Sequence, residues 1–341
     1  MERNQKKLAV SLVTYNAEKY LPFCLGAISR QTFNDFSLLI IDNGSTDRTA
    51  KFLKEEYPQL KIVEHDKNIG FAKAHNQAIS WSDSEYVCLL NQDIILEPDY
   101  FERLIDFLDN EPSAGSISGK IYIWDFDNNQ KTDFFDSLGL KILKNHRVLN
   151  IGQGEIDGGQ YNETKEIFGV SGAAPVYRRQ ALEQVKQLGF LGHEEYFDEL
   201  FFSYKEDVDL AWRLRLGGYK SFYLPTAIAY HDRSVKGRKN LSDKATIKSR
   251  KDKDKMVKLY SYKNHLQTLF KNEFLINYLK YFWPITWYEF KKLVYIVFFE
   301  QTTLIGLKMY FEQRDKIKLK RKDIFKNIVK VKASDLARWY E

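Results

Sequence analysis

Four apolar runs recur early in this chain, and each is followed by a segment with helical spacing. Leu8–Thr14, Phe36–Ile41, Leu60–Val63 and Tyr86–Leu90 read as strands, rich in β-branched and aromatic residues. Between them, Ala17–Arg30 carries Leu21, Leu25 and Ile28 at helical intervals. Asn43-Gly44 makes a turn, and Ser45, Thr46 or Asp47 can cap a helix reaching about Tyr57. Phe71, Ala74, Ala78 and Ile79 share a helix face, and Pro98 opens another helix with Phe101, Leu104, Ile105 and Leu108 inward. Strand and helix alternating at this spacing require a parallel sheet covered on both faces, an α/β architecture.

Open sheets of this kind bind ligands beyond the carboxyl ends of their strands. The polar residues fall there: Thr14-Tyr15-Asn16, Asp42-Asn43, Asn68 with Gly70, and Asn91-Gln92-Asp93. They converge on one rim. In the last group a buried strand breaks into polar residues before the short run Ile94–Leu96. Burying such groups costs free energy unless they are compensated. Asn91 and Asp93 could approach a hard cation or sugar and phosphate oxygens, or could serve only the hydrogen bonds of a turn.

Other chemistries find little support. No GxxxxGK[ST] run is present, Gly152-Gln-Gly154 with Gly158 and Gly159 reads as a loop, and His193-Glu194 does not complete HExxH. Cys24 and Cys88 lie apart in apolar segments, which speaks against a zinc or redox motif and for a reducing compartment. Trp124–Lys165 loosens into a hairpin-bearing insertion over the site. The small residues of Ile167–Tyr177 allow close approach, either by a ligand or by a packed neighbouring segment.

Glu206, Asp207 and Asp209 open a helix that ends at Gly217-Gly218. Acids in a first turn suit the helix dipole, yet three of them crowded together also raise one another's proton affinity, as a general base needs. Arg213, four residues after Asp209, suggests a structural pair. The short strand-like segment Ala227–Asp232 ends in the polar pair His231-Asp232.

Taken in order, Val10–Asn16, Ile41–Asp47, Asn68–Asn76, Leu90–Asp93 and Lys205–Leu210 closely resemble the motifs of family 2 glycosyltransferases, over residues 7 to 232. Rhamnosyltransferase-like members that build cell-surface polysaccharide are the nearest in look. The resemblance implies a GT-A fold with a mostly parallel central sheet, a catalytic domain set at residues 1–235; the basic, aromatic-rich composition beyond it sets a helical region at 236–341. It implies that Thr14, Asn16, Asp42 and Asn43 hold the donor nucleoside. Asn68, Gly70, Phe71 and Asn76, with Asn91 and Gln92, would shape the rest of the donor site. Asp93 and His231 would ligate a divalent metal, Mg²⁺ or Mn²⁺, and Asp207, beside Glu206, would be the catalytic base of an inverting transfer. Asn91 stands where a strict DxD motif has its first Asp, one carboxylate fewer for the metal.

Composition matters most toward the end. Eleven Lys/Arg against three Asp lie between Arg233 and Lys258, a solvated linker or a surface for an acidic partner. Beyond Tyr260, aromatic and apolar residues interleave with Lys271, Lys280, Lys291 and Lys292 in helices broken near Pro284. Such helices lie in a membrane interface, or pack on the catalytic domain or a second subunit as a homo-oligomer. No run of 18 apolar residues occurs, and no signal core follows the first Met. The expectation is a cytoplasmic protein peripheral to the inner face of the membrane. Its partners would be a nucleotide-sugar donor and a glycan or glycolipid acceptor, without nucleic acid. A rival reading is a non-catalytic nucleotide-sugar or nucleic-acid binding module.

Overall fold

The computed structural model describes residues 6–189, 192–232 and 253–341. Strands β1 (Leu8–Thr14), β2 (Phe36–Asp42), β3 (Lys61–Glu64) and β4 (Tyr86–Asn91) alternate with helices α1 (Leu21–Ser29), α2 (Thr49–Glu56) and α3 (Phe71–Ser80). α2 is capped by none of the three residues offered for it: its N-cap is Arg48, and Asp47, one position earlier, accepts from Thr49 N at 2.9 Å. β1 is parallel to β2 on one side and to β4 on the other, and β3 extends the sheet beyond β2. The chain therefore builds outward on one side of β1 and then crosses to the other. That reversal opens a crevice at the carboxyl ends of β1 and β4.

β5 (Ile94–Leu96) and α4 (Tyr100–Asn110) lead into β6 (Ala114–Asp125), which no apolar run announces. β7 (Gln130–Ser137) folds back on β6, and β8 (Leu140–Ile142) pairs with β9 (Val148–Asn150), so the insertion does carry hairpins. β10 (Lys165–Ile167), β11 (Val176–Arg178), α5 (Arg179–Val185), the short pair β12 (Gln187–Leu188) and β13 (Glu194–Glu195), α6 (Glu206–Leu216) and β14 (Lys220–His231) complete this part. The sheet runs β10, β14, β6, β11, β4, β1, β2, β3, with β5 attached to β14 and β7 to β6. β14 is one long strand where the sequence marks only a short segment from Ala227; its register against β6 slips between Leu224 and Ile228, around Pro225.

The C-terminal helices are α7 (Lys255–Asn272), α8 (Leu275–Lys280), α9 (Phe282–Phe299), α10 (Leu304–Glu312), α11 (Arg314–Asp323) and α12 (Ala333–Ala337). Most of the basic run, and the boundary expected at residue 235, lie outside the described residues. α7 turns polar residues inward: Lys263, Asn264, Gln267, Thr268, Lys271 and Asn272 are all buried. Lys271 Nζ lies 2.5 Å from Asp198 Oδ2 and 2.9 Å from Asp209 Oδ1, and Arg213 Nε lies 3.0 Å from Asp209 Oδ2. Lys320 of α11 joins from the far side, pairing with Glu195 and, at 2.6 Å, with Asp198. A buried charge network thus fastens α7 and α11 to α6 and the loop before it. The chain end returns as well, with Glu341 N donating to the Ile142 carbonyl at 3.0 Å.

Candidate active site

Two adjoining hollows of about 470 and 360 Å³ lie beyond the carboxyl ends of β1 and β4, sharing Phe71, Asn91, Asp93, Ser203 and Tyr204. The first is lined by Thr14, Asn43, Asn68, Gly70, Phe71, Asn91, Gln92 and Asp93. The second adds Glu206, Asp207 and His231. A larger hollow, about 670 Å³, sits elsewhere against Lys6, Lys61 and Trp81 and contains none of the predicted site residues.

The rim is built from short polar links. Asn43 Nδ2 donates to Asn68 Oδ1 (3.1 Å) and its Oδ1 accepts from Ile69 N (2.9 Å), tying the end of β2 to the turn before α3. Gly70 has φ +89°, and a Cβ there would lie 2.6 Å from the Phe202 carbonyl, so only glycine fits. Gln92 takes a hydrogen bond from Tyr15 N at 2.7 Å and returns one to the Tyr15 carbonyl at 3.2 Å, fixing Tyr15 at the mouth. Three predicted donor residues, Asn16, Asp42 and Asn76, line neither hollow. Asn16 accepts from Thr46 N at 2.8 Å. The buried Asp42 carboxylate accepts from Ser45 and Thr14; burial pushes its pKa up while those hydrogen bonds pull against it. Asn76 is occupied by the loop after β13, donating to the Phe197 carbonyl (2.9 Å) and accepting from Phe197 N (2.8 Å).

His231 lies between two carboxylates: Nε2 is 3.2 Å from Asp93 Oδ1, and Nδ1 is 2.9 Å from Asp136 Oδ2. Burial opposes its charge, but Asp93 and Asp136 outweigh burial and push the imidazole up to about 9. A carboxylate on one ring nitrogen and a carboxylate-flanked opening at the other is the arrangement in which histidine ligates a metal. Asp93 and His231 fit a divalent cation once Nε2 gives up the proton that faces Asp93, with Asp136 orienting the ring. Asp136 reaches this position on β7, inside an insertion with no motif to mark it. Another group, His193, Glu195 and Glu199, has ligand atoms within 4.8 Å of one another, but Glu195 is paired with Lys320 and none of the three lines either hollow.

The three acids of α6 separate by environment. Asp209 is fully buried, and Lys271 and Arg213 hold it below the usual carboxylate range against the effect of burial. The anticipated i,i+4 pair with Arg213 is structural. Burial pushes the Glu206 carboxyl up to about 8, with Asp207 adding to the effect, so crowding among the acids is the lesser cause. Asp207 faces the cleft; its Oδ2 accepts from Gly172 N at 3.2 Å and its Oδ1 from Val208 N at 2.8 Å. The small residues of 167–177 thus have two causes. A Cβ at Gly169 would meet Ala211 Cβ at 2.2 Å, close helix packing, whereas Gly172 presents its N–H to the acid.

Just ahead of α6, Phe202 (φ +64°), Tyr204 (φ +73°) and Lys205 (φ +76°) are left-handed without being glycine. Each such residue costs about 1–3 kcal/mol unless its surroundings enforce it, and such strain clusters at functional sites. Tyr260 and Met256 of α7 also line the donor-side hollow, with Tyr260 stacked on Phe202 at 5.2 Å.

The family described as glycosyl transferase family 2 matches residues 9–186. An N-acetylglucosaminyl-diphospho-decaprenol L-rhamnosyltransferase of Mycobacterium tuberculosis is 27% identical over 248 residues, 67% of this chain and 76% of that protein. A crystal structure of residues 1–349 of Staphylococcus aureus TarS superposes with TM-score 0.50 at 16% identity, over 94% of this chain and 89% of that one. A crystal structure of GalNAc-T7 with UDP, GalNAc and Mn²⁺ superposes with TM-score 0.54 at 12% identity, over 78% of this chain and 52% of that chain, about half its length. By its sequence match and its architecture, the chain belongs to glycosyl transferase family 2 and has the GT-A fold.

Proposed function

We propose that the chain is an inverting, metal-dependent glycosyltransferase that moves rhamnose from dTDP-rhamnose to a hydroxyl of a growing, lipid-linked cell-surface polysaccharide. The observation that carries the reading is that Asp93 and Asp207 line one cleft beside the polar strand ends. The name of the Mycobacterium tuberculosis relative supports rhamnose as the transferred sugar and a lipid-linked acceptor.

In this reading Thr14, Asn43, Asn68 and Phe71 receive the nucleoside diphosphate along the rim, with the amino end of α3 favouring its charge. A divalent cation held by Asp93 and His231 would neutralise charge developing on the departing diphosphate. Asp207, held by the Gly172 N–H, takes the proton from the acceptor hydroxyl. The acceptor oxygen bonds to the anomeric carbon as the carbon–oxygen bond to the diphosphate breaks on the opposite face, and configuration inverts. Glu206, kept neutral by burial, contributes no second base at neutral pH.

The acceptor's lipid carrier would bring the chain to the inner face of the membrane. Among the described residues no helix is long and apolar enough to cross a bilayer. Instead Trp283 (78% exposed), Trp287, Phe290, Phe298 and Phe299 (74%) stand out along α9. Exposed aromatics with lysines beside them suit a headgroup region carrying anionic lipid. Co-sedimentation with anionic vesicles supports this placement; a concentration-dependent dimer that ignores vesicles replaces it with a second copy of the chain.

Incubation with a panel of sugar nucleotides and Mg²⁺ or Mn²⁺, reading nucleoside diphosphate release with and without membrane extract as acceptor, tests the activity. Turnover of dTDP-rhamnose is expected. Binding of nucleotide sugars without turnover of any would leave a binding module.

A further inference from the structure

The catalytic helix α6 is entered through a strained loop, and that loop is held by a residue outside the stretch that matches the family. Asn264, on α7, is fully buried. Its Nδ2 donates to the carbonyls of Phe201 (3.0 Å), Ser203 (2.9 Å) and Tyr204 (2.7 Å), two N–H bonds shared among three acceptors. The adjacent Lys263 donates to the Leu200 carbonyl. These carbonyls belong to the run containing Phe202, Tyr204 and Lys205, whose left-handed backbones have no glycine to relax them. Left to itself, such a run returns to ordinary angles and turns the following residues with it. The following residues are Glu206 and Asp207.

The same loop reaches the donor side. The Phe202 carbonyl accepts from Ala72 N at 3.4 Å, in the first turn of α3, and its ring stacks on Tyr260. One amide on α7 therefore fixes the segment that joins the donor wall to the base.

We infer that Asn264 is a positioning residue for Asp207: its side chain enforces the left-handed turn at 202–205 that aims the carboxylate into the cleft. The inference rests on Asp207 being the base, so its test has one arm that needs no catalysis. In that arm, hydrogen–deuterium exchange is compared between the wild-type chain and Asn264→Ala. Exchange at the amides of residues 200–210 should rise by about tenfold or more, while β1–β4 and the rest of α7 keep their protection. The control is Gln267→Ala, which removes another buried hydrogen bond of the same helix, from Gln267 Nε2 to Gln313 Oε1 at 2.6 Å. It should leave 200–210 unchanged.

The second arm uses whichever sugar nucleotide the wild-type chain turns over. Asn264→Ala should lower kcat by roughly 10- to 100-fold with donor KM changed by less than about threefold, because misplacing a catalytic group costs turnover more than binding. Asn264→Ser, which keeps one donor, should recover part of kcat and covers the case in which the alanine variant does not fold. Unchanged exchange at 200–210, or equal losses for Asn264→Ala and Gln267→Ala, would overturn the inference. Loosened exchange in Asn264→Ala, with a wild-type chain that turns over no sugar nucleotide, would keep the clamp and refute the proposed reaction instead.

Discussion

Replacing Lys271 by methionine removes the cation shared by two buried carboxylates. Its ammonium touches Asp198 (2.5 Å), Asp209 (2.9 Å) and the Gln187 side-chain oxygen (2.9 Å). Removing one partner of a buried ion pair typically destabilises by about 3–5 kcal/mol, because the remaining charge is stranded. Here Asp198 keeps Lys320 and Asp209 keeps Arg213, so the lower end applies, about 3 kcal/mol. That is a large share of the roughly 5–15 kcal/mol that holds a typical domain folded. Urea unfolding of both chains at pH 7 measures it directly. Both acids have pKa values lowered below those of the unfolded chain, where aspartate titrates near pH 3.9, roughly. Their stabilisation is therefore complete above that pH and lost as pH falls through the lower, folded values. The gap between wild type and Lys271→Met should be full at neutral pH and narrow in strong acid. A gap below about 1 kcal/mol at pH 7, the range of exposed pairs, or one that widens on acidification, refutes the network as a fastening.

Asp207→Asn should lower transfer by roughly 100- to 10,000-fold, the usual contribution of a general base, while calorimetric donor binding stays near wild type; transfer within about tenfold would move the base elsewhere. Asp93→Ala should abolish the Mn²⁺-dependent part of nucleoside diphosphate binding, and an unchanged titration contradicts its role as a ligand. Glu206→Gln should stabilise the chain increasingly between about pH 4.3, the unfolded value, and about 8, the folded one. The sign follows because the folded state holds that proton longer, so wild-type stability falls as pH rises, by up to roughly 1.4 kcal/mol per pH unit. Urea midpoints of the two chains that stay parallel from pH 5 to 8 would show that Glu206 is not kept neutral.

What the sequence displayed, and what it hid, divides by the kind of residue that faces inward. β1 and β4 are apolar on both faces because both faces are covered, so their runs were plain. β6 is nearly as buried but uses Gly115, Ser116, Ser118 and Gly119. A Cβ at Gly119 would lie 2.2 Å from the Ala227 carbonyl, so close approach of strands selects smallness there and erases the hydrophobic signal. The site divides in the same way. Asp93 and Asp207 stand in motifs at element ends and His231 is suggested only by the family resemblance, whereas Asp136 sits within an irregular insertion. Asn16, Asp42 and Asn76 were legible as site residues, but their side chains are engaged by neighbouring protein groups, a distinction invisible until the partners are known. The hardest case is α7. Helix periodicity assigns lysine, asparagine and glutamine to solvent, and on this helix they are buried: Lys271 meets carboxylates and Asn264 meets carbonyls around the start of α6, while Gln267 meets the Gln313 amide among the C-terminal helices. A helix whose buried face is polar gains little from burial alone. Its hold on the rest of the chain rests on those polar partners, and since Met256 and Tyr260 also line the donor-side hollow, α7 is part of the framework of the candidate site, not a passive appendix.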